Sequence, residues 1–106
     1  MGTHGGSIIF ISSVMSIAGA NGKSMYGMTK GALVSGAKSL AIELAQKNIR
    51  VNCVSPGVIV SPMSKNAIYS KDEESLQRVK DLHPLGLGET EDVAYACVYL
   101  LSVYIL

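Results

Sequence analysis

Only two cysteines, Cys53 and Cys97, occur among the 106 residues, and neither has a cysteine or histidine at a metal-ligand spacing. That argues against a zinc site or a CxxC redox pair and leaves two buried thiols in a reduced cytoplasm as the expectation. Charge is also sparse. Asp, Glu, Lys and Arg make up 16% of the chain, the formal net charge is +1, and the basic residues are dispersed. Such a pattern offers no basic patch, so no nucleic-acid partner is expected. "MGTHGGSIIFISS" has no positive n-region, no cleavage site and too short an apolar run for a secretory signal. The uncharged stretch from Val93 to Leu106 has 14 residues, against the roughly 20 that a spanning helix requires. A buried core helix, or a helix running into a strand, is expected there, and no membrane partner. No internal repeat or low-complexity tract is visible.

What is present suits one soluble globular domain, with 48% hydrophobic residues in a chain of this length. "SIIFIS", residues 7–12, is a β-branched run behind the turn-forming "GTHGG", and its continuous apolarity predicts a strand covered on both faces. Residues 14–24 have a loop composition. From Ser24 to Gln46, Met25, Met28, Ala32, Leu33, Ala37, Leu40, Ala41 and Leu44 recur at three- and four-residue spacings and predict an amphipathic helix closed by Lys47-Asn48. Gly27, Gly31 and Gly36 weaken that helix, so close approach of a backbone or ligand is expected beside them. "IRVNCVSPG", residues 49–57, predicts a second strand ended by Pro56-Gly57. Strand, helix and strand in this order predict a parallel βαβ unit with a right-handed crossover. "VIVSPMSKNAIYSK" then reads as a loop. Ser70 and Glu73 form a capping-box pattern before a helix over 71–82 that stops ahead of Pro84. "LGLGE" reads as a linker, and Thr90 as the N-cap of a last helix over 91–101.

Tyr26 and Lys30 lie four apart on the predicted helix, so their side chains project from one face. A phenol is a poor acid or base at neutral pH, and an adjacent ammonium favours its ionised form, which is the use that this spacing allows in proton transfer. Ser13 falls at the carboxyl end of the first strand, the edge where open α/β sheets place their ligand crevice. A hydroxyl there can bond the oxygen that Tyr26 protonates. By itself a Tyr-x-x-x-Lys pair is weak evidence and reads first as a surface pair, since many helices contain one by chance.

The surrounding segments resemble the short-chain dehydrogenase/reductase family over nearly the whole chain. "GGSIIFISS" is similar to the family's fifth strand with its catalytic serine, and "YGMTK" to its active-site helix motif. "IRVNCVSPGVIVSPM" is similar to the sixth strand and its Pro-Gly turn, and "HPLGLGETEDVAYACVYLLS" to the segment before the final strand. The resemblance implies a partial Rossmann-type, doubly wound parallel sheet: a βαβ core with additional C-terminal helices, forming one partial domain over 1–106. It implies NAD or NADP as cofactor, an alcohol or carbonyl compound as small-molecule substrate, and a homo-oligomer formed through the long helix. By the same resemblance Tyr26 is the catalytic acid/base, Ser13 orients the substrate oxygen, and Lys30 serves both Tyr26 and the nicotinamide ribose. Pro56, Gly57 and Ile59 would line the nicotinamide pocket, Ser61 would lie near the cofactor, and the segment from Met63 to about His83 would cover the substrate.

The glycine-rich dinucleotide fingerprint is missing, because "GTHGG" precedes a strand whereas a phosphate-binding turn must follow one. The resemblance therefore covers the family's catalytic half, without its first βαβαβ half. Two functions follow from this. One is an NAD(P)-dependent oxidoreductase, with the isolated chain weakly active or inactive. The other is a non-catalytic assembly module, in which the small-residue face of the long helix packs on a copy of itself. His4 reads as a solvated turn residue and His83 as an imidazole complementing a helix end, while Met15, Met25, Met28 and Met63 read as packing residues.

Overall fold

A computed structural model describes residues 5–61 and 73–102. Strand β1 (Gly6–Ile11) leads through a 3-10 turn at Val14–Ser16 into helix α1 (Ser24–Leu44). A second 3-10 turn, Ala45–Lys47, ends in Asn48 with φ 61° and turns the chain into strand β2 (Ile49–Val54). Asn tolerates this left-handed conformation better than most residues, so the "KN" pair acts as a helix stop. β1 and β2 pair in parallel, with Ile8 opposite Val51 and Phe10 opposite Cys53. The βαβ unit is therefore present.

Alternation along the strands sends Ile8, Phe10, Ile49, Val51 and Cys53 to one face, where they meet Ala37, Leu40, Ala41 and Leu44 of α1 around the buried trio Ala37, Ile49 and Val51. The inward stripe of α1 is narrower than its apolar content predicts. Met25 and Met28 are 73% and 63% exposed, and Ala32 is exposed too, because this row lies about a third of a turn around the helix from the Leu33–Leu44 stripe.

After β2 the chain forms a short strand β3 (Ile59–Val60), helix α2 (Glu73–Asp81), strand β4 (Gly88–Glu89) and helix α3 (Thr90–Leu101). β3 and β4 pair in parallel, which corrects the reading of both stretches as plain loop and linker. Two-residue strands carry no periodicity to detect. Ser70 and residues 71–72, expected to begin the helix before Pro84, lie outside the described residues. The N-cap of α3 is Glu89, one residue earlier than expected, and the Asp92 carboxylate accepts from the Glu89 backbone N–H at 2.8 Å in a capping box.

The other face of the β1–β2 pair takes the end of α3. Ser7 and Arg50 are opposite one another in register, and both donate to the Leu100 carbonyl, at 3.2 and 2.8 Å, while Arg50 also donates to the Ser102 carbonyl at 3.0 Å. A guanidinium at a helix C-terminus satisfies the last carbonyls and complements the dipole. Helices thus cover both faces of the strand pair. α3 is not the fully buried helix expected: Tyr95, Val98, Tyr99 and Leu101 are 51–71% exposed. Cys53 and Cys97 are free and half-buried rather than buried. Among the described residues, no helix is long and apolar enough to cross a membrane.

Candidate active site

The carboxyl ends of β1 and β2 stay tied together beyond the strands. Ser12 N–H donates to the Val54 carbonyl at 2.7 Å and Val14 N–H to the Pro56 carbonyl at 3.1 Å. Between them lies Ser13, extended at φ −160° and ψ 157°, whose hydroxyl accepts from Met15 N–H at 3.2 Å and caps the first 3-10 turn. Ser13 is only 8% exposed. Among the described residues its hydroxyl proton has no acceptor, so it remains available to donate.

That 3-10 turn rests on α1. A Cβ at Gly27 would come within 3.3 Å of the Met15 carbonyl oxygen, so glycine there permits the close approach anticipated from its helical position. The expectation fails at Gly31, where the Ser16 carbonyl is at an ordinary 3.9 Å, and at Gly36, which has no described neighbour within 4 Å.

Tyr26 and Lys30 occupy the first turns of α1 above this contact. Lys30 Nζ lies 5.7 Å from the Tyr26 ring centroid and donates to the Ile11 carbonyl at 3.1 Å. Lys23 Nζ lies 5.8 Å from the same ring, so two ammonium groups stand beside one phenol, each within the range of cation–π attraction. Tyr26 is 39% exposed. The structure thus brings Tyr26 and Lys30 together and sets Ser13 on the adjoining turn, but among the described residues no hydrogen bond joins Ser13 to Tyr26.

Sequence reasoning missed Lys23 and Ser12. Lys23 stands three residues before Tyr26, a helical spacing that could have been read in the same way as that of Lys30. Ser12 is the more deeply buried of the two serines, at 3% exposure, and its hydroxyl donates to the Lys30 backbone carbonyl at 2.7 Å. Its position directly after the apolar strand was the available signal.

Pro56 and Gly57 form the turn after β2, Ile59 lies in β3, and Ser61 follows it, half-buried. A pocket of about 290 Å³ opens beside this turn, lined by Pro56, Gly57, Ile59 and His83 together with residues of α3. None of Ser13, Tyr26 and Lys30 lines it. Of the three, Ser13 is tied to this turn by its neighbour, through the Val14–Pro56 bond. His83 is not only a helix-end group: its ring bonds both the Val79 carbonyl, at 2.8 Å, and the Val58 N–H, at 3.1 Å. Residues 62–72, most of the segment expected to cover substrate, and His4 lie outside the described residues. Of the methionines read as packing residues, Met15 is half-buried, Met25 and Met28 are exposed, and Met63 lies outside the described residues.

A family model described as enoyl-(acyl carrier protein) reductase matches residues 1–104. The chain belongs to the short-chain dehydrogenase/reductase family. Similar members include the 3-oxoacyl-[acyl-carrier-protein] reductase of Mus musculus, 45% identical over 100 residues, and carbonyl reductase family member 4 of Xenopus laevis, 44% identical over 100 residues. Each alignment takes in 93% of this chain and 39% of the relative, so the chain spans about two fifths of the length of these curated proteins. Among solved members, a short chain dehydrogenase family protein from Francisella tularensis superposes with a TM-score of 0.84 at 28% identity, over 92% of this chain and 43% of that one. ElxO with NADP bound superposes with a TM-score of 0.80 at 33% identity, over 92% and 40%. The Rossmann-type assignment of the short-chain dehydrogenase/reductase fold follows from these superpositions and from the parallel βαβ unit.

Proposed function

We propose that this chain is the catalytic half of an NAD(P)-dependent oxidoreductase that moves hydride between a nicotinamide and the carbon of an alcohol or carbonyl substrate. The observation that carries this reading is the placement of Lys30: its ammonium stands beside the Tyr26 ring and is bonded to the end of β1. Named relatives are reductases, and a solved relative holds NADP, which supports NAD or NADP as the cofactor.

The donor set suits a nicotinamide nucleoside. An ammonium has three donors. One is used on the Ile11 carbonyl, leaving two for the vicinal hydroxyls of a ribose. The bound nicotinamide supplies or accepts the hydride. Tyr26 would give its hydroxyl proton to the substrate oxygen during carbonyl reduction and take it back in the reverse direction. Ser13 would donate its uncommitted proton to that oxygen and hold it for Tyr26. Lys30 would hold the ribose, with its ammonium beside the ring that carries the transferred proton. Pro56, Gly57, Ile59 and Ser61 would form the wall against the nicotinamide, in a turn kept next to Ser13 by the Val14–Pro56 bond. The chain carries no glycine-rich phosphate-binding turn, so by itself it is expected to bind cofactor weakly and turn over little. The family resemblance also supports a homo-oligomer, and the two free thiols fit a reduced, cytoplasmic location.

A second reading is favoured by one observation. Met25, Met28 and Ile42 of α1 are 63–78% exposed, an apolar surface suited to an assembly module that packs on another copy. Tyr26→Phe separates the two. Nicotinamide-coupled carbonyl reduction, tested with a glycine-rich nucleotide-binding half of the family supplied as a separate polypeptide, falls at least about a hundredfold in the variant if Tyr26 is the acid, while association is unchanged. Turnover that survives Tyr26→Phe contradicts the enzymatic reading.

A further inference from the structure

The turn after β2 is held at three points. The Pro56 carbonyl accepts from Val14 N–H at 3.1 Å, and the Val58 carbonyl accepts from Gly88 N–H at 3.1 Å. Val58 N–H donates to His83 Nε2 at 3.1 Å. The first two bonds are backbone to backbone and survive any substitution that keeps the fold. The third depends on one side chain.

The His83 ring is itself oriented. An amide N–H can only donate and a carbonyl can only accept, so Nε2 carries the lone pair toward Val58 and Nδ1 carries the proton toward the Val79 carbonyl, at 2.8 Å. The backbone at His83 is also fixed, with its N–H on the Lys80 carbonyl at 3.0 Å and its carbonyl accepting from Gly86 N–H at 2.8 Å. The last turn of α2 therefore aims the ring. On its far side the ring packs against Gly57. A Cβ built there would lie 2.9 Å from Nε2 and 3.3 Å from Cδ2, so a side chain at 57 would force the imidazole out of its place.

We propose that His83 is a positioning residue for the nicotinamide wall: from α2 it clamps the Val58 amide and the Gly57 backbone, and so sets the path of Pro56–Ile59. This rests on the reading that Pro56, Gly57 and Ile59 face the nicotinamide. His83 itself touches no reacting atom. It acts through the turn, and its own bonds make it the link between α2 and that wall.

Two amide replacements separate the two halves of the ring. His83→Gln places its oxygen near the position of Nε2 and retains an acceptor for Val58. His83→Asn places its amide near Nδ1 and retains only the bond to the Val79 carbonyl. The test follows NADPH binding to the chain, in the millimolar range, by nitrogen–proton correlation spectra, together with exchange of the Val58 amide. The expected result is faster Val58 exchange and weaker NADPH binding in His83→Asn, each by about tenfold. His83→Gln stays within about twofold of wild type. Gly57→Ala, whose methyl displaces the ring, should reproduce the exposed Val58 amide without altering His83. Equal NADPH affinity in the Gln and Asn variants, or an unchanged Val58 amide in Gly57→Ala, overturns the positioning role and leaves the site reading standing. Absence of NADPH binding by folded wild-type chain overturns the site reading, and the positioning role with it.

Discussion

Ser12 and Lys30 are bonded across the junction of β1 and α1: the buried Ser12 hydroxyl donates to the Lys30 carbonyl at 2.7 Å, while the Lys30 ammonium reaches back to the carbonyl of Ile11 at 3.1 Å. The residue proposed to hold the ribose is thus fixed at both its backbone and its tip. Ser12→Ala removes the first bond without leaving a polar group on the serine side. It should cost about 1 kcal/mol of stability, read as a lower urea midpoint with an unchanged slope. It should also weaken nicotinamide binding, because Lys30 is no longer held in register with the strand end.

Arg50 should be the most sensitive charged residue in the fold outside the candidate site. Its guanidinium bonds two carbonyls at the end of α3, Leu100 and Ser102, and it sits opposite Ser7, which shares Leu100. Arg50→Met keeps the stem and removes both charge-assisted bonds. A loss of about 2 kcal/mol is expected, with amide exchange rising first at the C-terminal turn of α3. Lysine should recover only part of it, since an ammonium lacks the fork that spans two carbonyls.

Gly5 has φ +76°, and a Cβ there would run into the Asn48 carbonyl oxygen. Gly6 N–H donates to that same carbonyl at 3.2 Å, so this is the point at which β1 and β2 begin to pair. Gly5→Ala combines left-handed strain with a backbone clash and should destabilise by at least about 1–2 kcal/mol. An alanine variant with unchanged thermal midpoint would contradict the geometry.

Much of this was legible in the sequence because it depends on local chemistry. The β-branched runs, the αL-tolerant Asn48 and the four-residue offset of Tyr26 and Lys30 specify strands, a helix stop and a shared helical face. The close approach at Gly27 was legible for the same reason. What was missed depends on tertiary partners. β3 and β4 have two residues each and exist only because Gly88 lies beside Ile59. The bonds of Ser12 to Lys30 and of His83 to Val58 join residues 18 and 25 positions apart, and no periodicity encodes them. Met25 and Met28 fit the helical repeat, yet they lie on a row that the strand pair does not reach.

The central claim is tested most directly by titrating the purified chain with NADH and NADPH, following nicotinamide fluorescence, beside Lys30→Ala. Weak but saturable binding, lost in Lys30→Ala while the far-ultraviolet circular dichroism is unchanged, is the predicted result. A folded wild-type chain that binds neither nucleotide, or binds both as well without the Lys30 ammonium, would contradict a nicotinamide site built on Tyr26 and Lys30.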